Sequence, residues 1–147
     1  MGSKYAYEDL SPDQFEKLVI FICQKLFGIA VQGFATGPDG GRDAKFNGTA
    51  ELPSRSSPWV GKTVIQAKHT IGINKSFSDT DFFSAESSST VIEKEKPRIK
   101  KLREDKNLDN YILFSNRKLT SKADAAIIKD LSEDCKVSEE SIALIGI

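Results

Sequence analysis

"GPDGGRDAKF" (residues 37–46) supports two readings. Glycines and a proline crowd two aspartates and an arginine, which is turn chemistry, and "AKF" then looks like the start of a strand. Either the stretch only joins two strands, or a tight turn delivers a carboxylate to a site. Upstream, "IAVQGFAT" (29–36) reads as a strand, and a short strand follows the turn from Asp43 to Phe46. "NGTAELPSRSSP" (47–58) reads as a polar loop, and "GKTVIQAKH" (61–69) contains the next strand, with a β-branched start. These pieces make a meander.

The rest of the chain alternates. "SPDQFEKLVIFICQKLFG" (11–28) is a capped amphipathic helix. Ser11 is its N-cap, Pro12 its first residue, Gln14 completes a capping box and Gly28 stops it. Phe15, Leu18, Val19, Ile22 and Leu26 recur at helical spacing. Residues 70–90 read as an irregular, serine-rich excursion with one short helical turn, docked by Phe77, Phe82 and Phe83. "VIEKEKPRIKKLREDKN" (91–107) is a helix that Pro97 should break or kink. "NYILFSN" (110–116) is nearly all apolar, as a central buried strand is. "LTSKADAAIIKDLSEDC" (119–135) is a second amphipathic helix, with Ala123, Ala126, Ile127 and Leu131 on one face, and "SIALIGI" (141–147) a final strand. The order α-β-β-β-α-β-α-β predicts an α/β protein, a three-layer α/β/α sandwich around a central mixed β-sheet.

The 147 residues fit a single domain, 1–147. A chain ending on an apolar strand suggests a module excised from a longer protein. Net charge is zero, so nucleic-acid binding would have to come from a local patch. No run of about 18 apolar residues predicts a membrane span, and no secretory leader is visible. Cys23 and Cys135 read as buried free thiols of a reducing, cytoplasmic setting. One histidine and two distant cysteines argue against a histidine- or cysteine-based metal site.

Residues two apart in a strand share a face, so Gln66 and Lys68 point the same way while Ile65 and Ala67 point the other. If the two strands are neighbours, Asp43 lies beside them. A carboxylate with an amide oxygen suits a hard cation such as Mg²⁺. A lysine beside it can orient a metal-bound water and offset negative charge at a phosphate. Together these are parts for hydrolysing a phosphodiester.

On "GPDGGRD", "VIQAKH" and "NYILFSNRKLT", together with Glu16 in the first helix, the chain resembles the PD-(D/E)xK nuclease superfamily. Within it, the likeness is to the Mrr-type restriction endonuclease branch, where glutamine commonly replaces the second acidic residue. The resemblance covers most of the chain. It implies a restriction endonuclease-like fold and a Mg²⁺-dependent endodeoxyribonuclease, with Mn²⁺ able to substitute. It implies catalytic Asp43, Gln66, Lys68 and Glu16, with the metal held by Asp43, Gln66 and the Ala67 carbonyl. It further implies cutting of DNA to leave a 5′-phosphate, and a place at the N-terminus of a multidomain bacterial anti-phage protein. Cutting both strands would need two sites, hence a homodimer or larger assembly formed through the rest of such a protein. Departures from the family pattern are the insert at 47–59 and the serine-rich stretch 70–90.

Each residue also has a plainer reading. Glu16 suits a helix N-terminus by charge alone, and Asp43 could cap local N–H groups. Asp39, in the "PDG" turn, is a rival to Asp43. Gln66 and Lys68 could be the polar face of an edge strand. Arg42 and His69 are candidates for binding substrate, but Arg42 could equally pair with an acid and His69 could be structural. Asp79 and Asp81 read as a cap and turn pair. The charge-rich 93–106 segment is either a solvated helix face or one wall of a backbone-binding groove. RNA cleavage by the same site, or a non-catalytic binding or assembly module, stays open.

Overall fold

The computed structural model describes residues 10–27, 32–36, 42–50, 59–70, 75–84 and 86–146, with the strands at 32–36 and 42–50 described through their backbone. The turn at 37–41, which holds Asp39, and residues 51–58 lie outside the described residues. The element order is α1 (Pro12–Phe27), β1 (Gln32–Thr36), β2 (Arg42–Ala50), β3 (Trp59–Lys68), α2 (Val91–Glu104), β4 (Asn110–Ser115), α3 (Ser121–Cys135) and β5 (Ile142–Ile145). The protein is mixed α/β. Its five strands form one sheet in the order β1-β2-β3-β4-β5. β1, β2 and β3 pair antiparallel, while β3, β4 and β5 pair parallel through the α2 and α3 crossovers.

Local chemistry explains the helices. The Ser11 N–H donates to Gln14 Oε1 at 2.9 Å and the Gln14 N–H donates to Ser11 Oγ at 3.2 Å, a reciprocal capping box. Thr90 and Thr120 cap α2 and α3 by accepting from the N–H groups of Glu93 and Ala123. Lys136 ends α3 in the left-handed region at φ 59°. α2 runs unbroken through Pro97, so of the expected break or kink the break does not occur. The proline lies on the exposed side, where a carbonyl left without its N–H partner can meet solvent. Among the described residues, no helix is long and apolar enough to cross a membrane.

β2 is longer than expected. Residues 47–50, read as loop, pair with Lys62–Trp59 of β3. The ladder bonds backbone to backbone, so polar side chains do not stop it while the partner strand continues. β4 is buried along its whole length between two neighbours, as its apolar sequence predicts.

Two cores flank the sheet. Phe15, Val19 and Cys23 of α1 pack with Trp59, Ile65 and Ile112. Ile92 and Ile99 of α2 and Ile127 and Leu131 of α3 pack with Val64 and Tyr111. Alternation along β3 thus sends Ile65 to α1 and Val64 to α2 and α3. In α3, Ala126 is exposed and Cys135 takes its expected place in the core. Burial pushes the Cys23 thiol up to about 12 and the Cys135 thiol up to about 11, so both are inert at neutral pH.

The excursion after β3 is pinned by Arg117, which is 1% exposed. Its guanidinium donates to Asp81 at 3.1 and 2.7 Å, to the Ser76 carbonyl at 3.1 Å and to Thr70 Oγ1 at 3.2 Å, and it lies 4.8 Å from the Phe82 ring centre. Phe77 and Phe82 are fully buried with ring centres 4.8 Å apart. One helical turn forms where the N–H groups of Phe82 and Phe83 donate to the Asp79 carbonyl. Asp79 also caps the Ser76 N–H, as expected of it, but Asp81 is the partner of the buried arginine rather than a turn residue alone.

Candidate functional site

The site builds up at the end of β3. Gln66 and Lys68 share the face of Val64, which is the face covered by α2 and α3. Ala67 lies between them and packs with the α1 core. In the antiparallel ladder, position 43 stands directly across from Gln66. The structure therefore brings together Gln66, Lys68 and the backbone of Asp43. Arg42 is the first residue of β2, across from Thr36. The side chains of Arg42 and Asp43 lie outside the described residues.

Gln66 is 1% exposed, and among the described residues its Oε1 atom has no hydrogen-bond donor. A buried acceptor left unpaired costs about 1–3 kcal/mol. That cost is relieved by a donor or a cation. Lys68 is partly exposed and its ammonium is 2.5 Å from Oε1 of Glu95 on α2. Glu95 is 4% exposed, and its Oε2 accepts from the Tyr111 hydroxyl at 3.4 Å. Burial and the neighbouring Glu95 carboxylate hold the Tyr111 hydroxyl well above its usual range, so it remains a donor.

Glu16 is carried by α1, whose core contacts are with the opposite face of the sheet. The start of α1 is nevertheless tied to the end of β3. His69 Nε2 donates to the Leu10 carbonyl at 2.5 Å, and the His69 ring centre is 5.9 Å from that of Phe15. Glu16, next in sequence to Phe15, thus sits at the same end of the sheet as Lys68. His69 spends one ring nitrogen and a ring face on this tie, which favours its structural reading over substrate binding.

A second group of carboxylates, Glu93, Asp130 and Asp134, lies between α2 and α3 with oxygens within 4.8 Å of one another. Lys96 fills it. Its buried ammonium is 2.5, 2.8 and 2.6 Å from the three carboxylates. Burial pulls the lysine down, but the Asp130, Asp134 and Glu93 carboxylates, which accept from it, outweigh that and hold the ammonium well above its ordinary range. The group is a clamp between helices, already occupied by a cation of the chain itself that offsets one of its three negative charges.

Glu95 and Tyr111 escape a reading of the sequence. Glu95 sits in a run of seven basic and four acidic residues that looks solvated. Yet Ile92, Glu95, Lys96 and Ile99 follow i, i+3, i+4, i+7 spacing, and all four are buried. Two charges on that apolar stripe were the available signal. The solvated-face and groove-wall readings of 93–106 fail for these two side chains.

The end of β3 gathers the oxygen-bearing residue types that a hard divalent cation takes. They are the amide oxygen of Gln66, without a donor among the described residues, and position 43 across the ladder from it, while Glu16 is carried by the helix on the other face. Comparison of the chain with protein-family models, curated proteins and solved structures finds no match.

Proposed function

We propose that this chain is a metal-dependent nuclease domain that hydrolyses DNA phosphodiester bonds, with the three-layer α/β/α arrangement of restriction endonuclease-like proteins. The observation that carries the reading is the buried, unpaired Oε1 of Gln66, two residues from Lys68 on one strand face and across the ladder from Asp43. A protein gains little from burying an unpaired amide beside a lysine unless that oxygen is used. The two cores that flank the mixed sheet support the three-layer arrangement.

Asp43 and Gln66 would hold Mg²⁺ or Mn²⁺, with the Ala67 carbonyl as a further oxygen and Glu16 acting directly or through water. A divalent cation held there would supply Lewis-acid polarisation of the phosphate and make a water more acidic. Lys68 orients the attacking water and offsets charge that develops on the phosphate oxygens. Arg42, at the start of β2, approaches the phosphate path. The setting is cytoplasmic defence against foreign DNA, with double-strand cutting by two copies brought together.

A second reading has one observation behind it. Lys68 already has a partner in Glu95, as a purely structural lysine would. On that reading the domain binds or assembles without cutting. Nicking of supercoiled plasmid with Mg²⁺ or Mn²⁺, with an EDTA control and parallel RNA substrate, separates the two. The nuclease reading predicts metal-dependent cutting that is lost by Asp43→Ala and by Lys68→Ala, at least a hundredfold each. Binding without cutting would leave the second reading. Cutting of RNA but not DNA would keep the site and change the substrate.

A further inference from the structure

The Lys68 ammonium is held from outside its own strand. Its partner Glu95 lies on α2, among the buried residues of the stripe that carries Ile92 and Ile99. The other oxygen of that carboxylate is held by Tyr111. Tyr111 stands across from Val64, and Lys68 across from Ser115. The carboxylate therefore bridges the two ends of the β3–β4 face on which Gln66 and Leu113 lie. A lysine on a four-carbon stem samples many rotamers. A carboxylate fixed on a packed helix and held at its far oxygen reduces that freedom, and does so on the same face as the orphaned Gln66 oxygen.

We propose that Glu95 is a positioning residue, which sets where the Lys68 ammonium stands relative to Gln66 and so couples helix α2 to the hydrolytic centre. The inference rests on the nuclease reading. Lys68 touches the reacting phosphate, and Glu95 acts only through Lys68. Tyr111 in turn fixes the carboxylate. A reach error of about 1 Å at a catalytic group can cost about a hundredfold in rate, so small changes at Glu95 reach the chemistry without touching substrate.

The test is steady-state cleavage of plasmid DNA in Mn²⁺, with thermal unfolding of each variant. Glu95→Gln is expected to lower kcat at least tenfold while KM stays within about twofold, and Glu95→Asp, which keeps the charge, to recover part of that loss. A merely structural Glu95 would instead lower the melting temperature and leave kcat of the folded fraction unchanged. Should Glu95→Gln fail to fold, Tyr111→Phe decides, because it removes only the hydroxyl; the expected loss is about threefold in kcat at unchanged KM. Wild-type kcat in the folded Glu95 variant, or in Tyr111→Phe if that variant must decide, overturns the role of Glu95 and leaves the nuclease reading standing. No metal-dependent cleavage of either DNA or RNA by the wild-type chain overturns both.

Discussion

At Gln66, stability and chemistry pull in opposite directions. Among the described residues its carbonyl oxygen is buried without a donor, which costs stability. Gln66→Leu keeps the volume and removes the orphan, so in metal-free buffer it should be as stable as the parent or more stable by up to about 1 kcal/mol. The same substitution should abolish metal-dependent activity. Chemical denaturation beside the cleavage assay checks both halves, and a large loss of stability would show that the amide has a structural task. Lys68→Ala should behave differently. It leaves the buried Glu95 carboxylate without its cation, and because Lys68 is partly exposed the expected cost is moderate, about 1–3 kcal/mol. Gln66 and Lys68 were legible because period-two alternation puts them on one face whatever the sheet does around them. Glu95 was not, since its partner is remote in sequence and its neighbours are charged.

Single elements in this protein depend on particular backbone and ion-pair positions. Gly61 lies within β3 at φ +98°, and the carboxylate of Asp109 fills the space a Cβ would need. That carboxylate accepts from the Lys62 N–H at 2.8 Å, tying the start of β3 to the entry of β4. Gly61→Ala combines a left-handed backbone with a collision and should cost at least about 1–2 kcal/mol, read as a fall in denaturation midpoint. The 75–84 excursion hangs on Arg117, whose paired N–H groups match the Asp81 carboxylate. Arg117→Lys retains the charge and loses that geometry, with an expected cost of about 2–4 kcal/mol and early proteolytic cleavage within 75–84. The aromatic anchors Phe77 and Phe82 were legible from composition. The arginine was not, because a single basic residue after an apolar strand gives no sign of being buried.

Across the whole molecule, two kinds of ion pair bound the pH range of stability. The Arg117 hydrogen bond holds Asp81, and the Lys96 hydrogen bond holds Asp134, below the ordinary carboxylate range. Their contributions are present above that range and are lost as pH falls through the lowered values. Lys96 is raised, so its contribution is present below the ordinary lysine range and is lost only as pH rises through the higher value. Stability should thus hold through neutral pH and fall on the acid side, with Asp81→Asn flattening that limb below about pH 4; unfolding midpoints from pH 2 to 8 check this. The element order and the meander were legible because caps and periodicities are local. The extent of β2 was not, because a ladder can continue through polar residues as long as its partner strand does. What unites the scales is a sheet whose end gathers position 43, Gln66 and Lys68, with the start of α1 tied alongside. The most direct measurement is a calorimetric titration of the wild-type chain and of Gln66→Leu with Mn²⁺. The account predicts one ion per chain, with affinity lowered at least tenfold by the substitution. Equal affinity in both proteins, or no binding to the wild type, would contradict it.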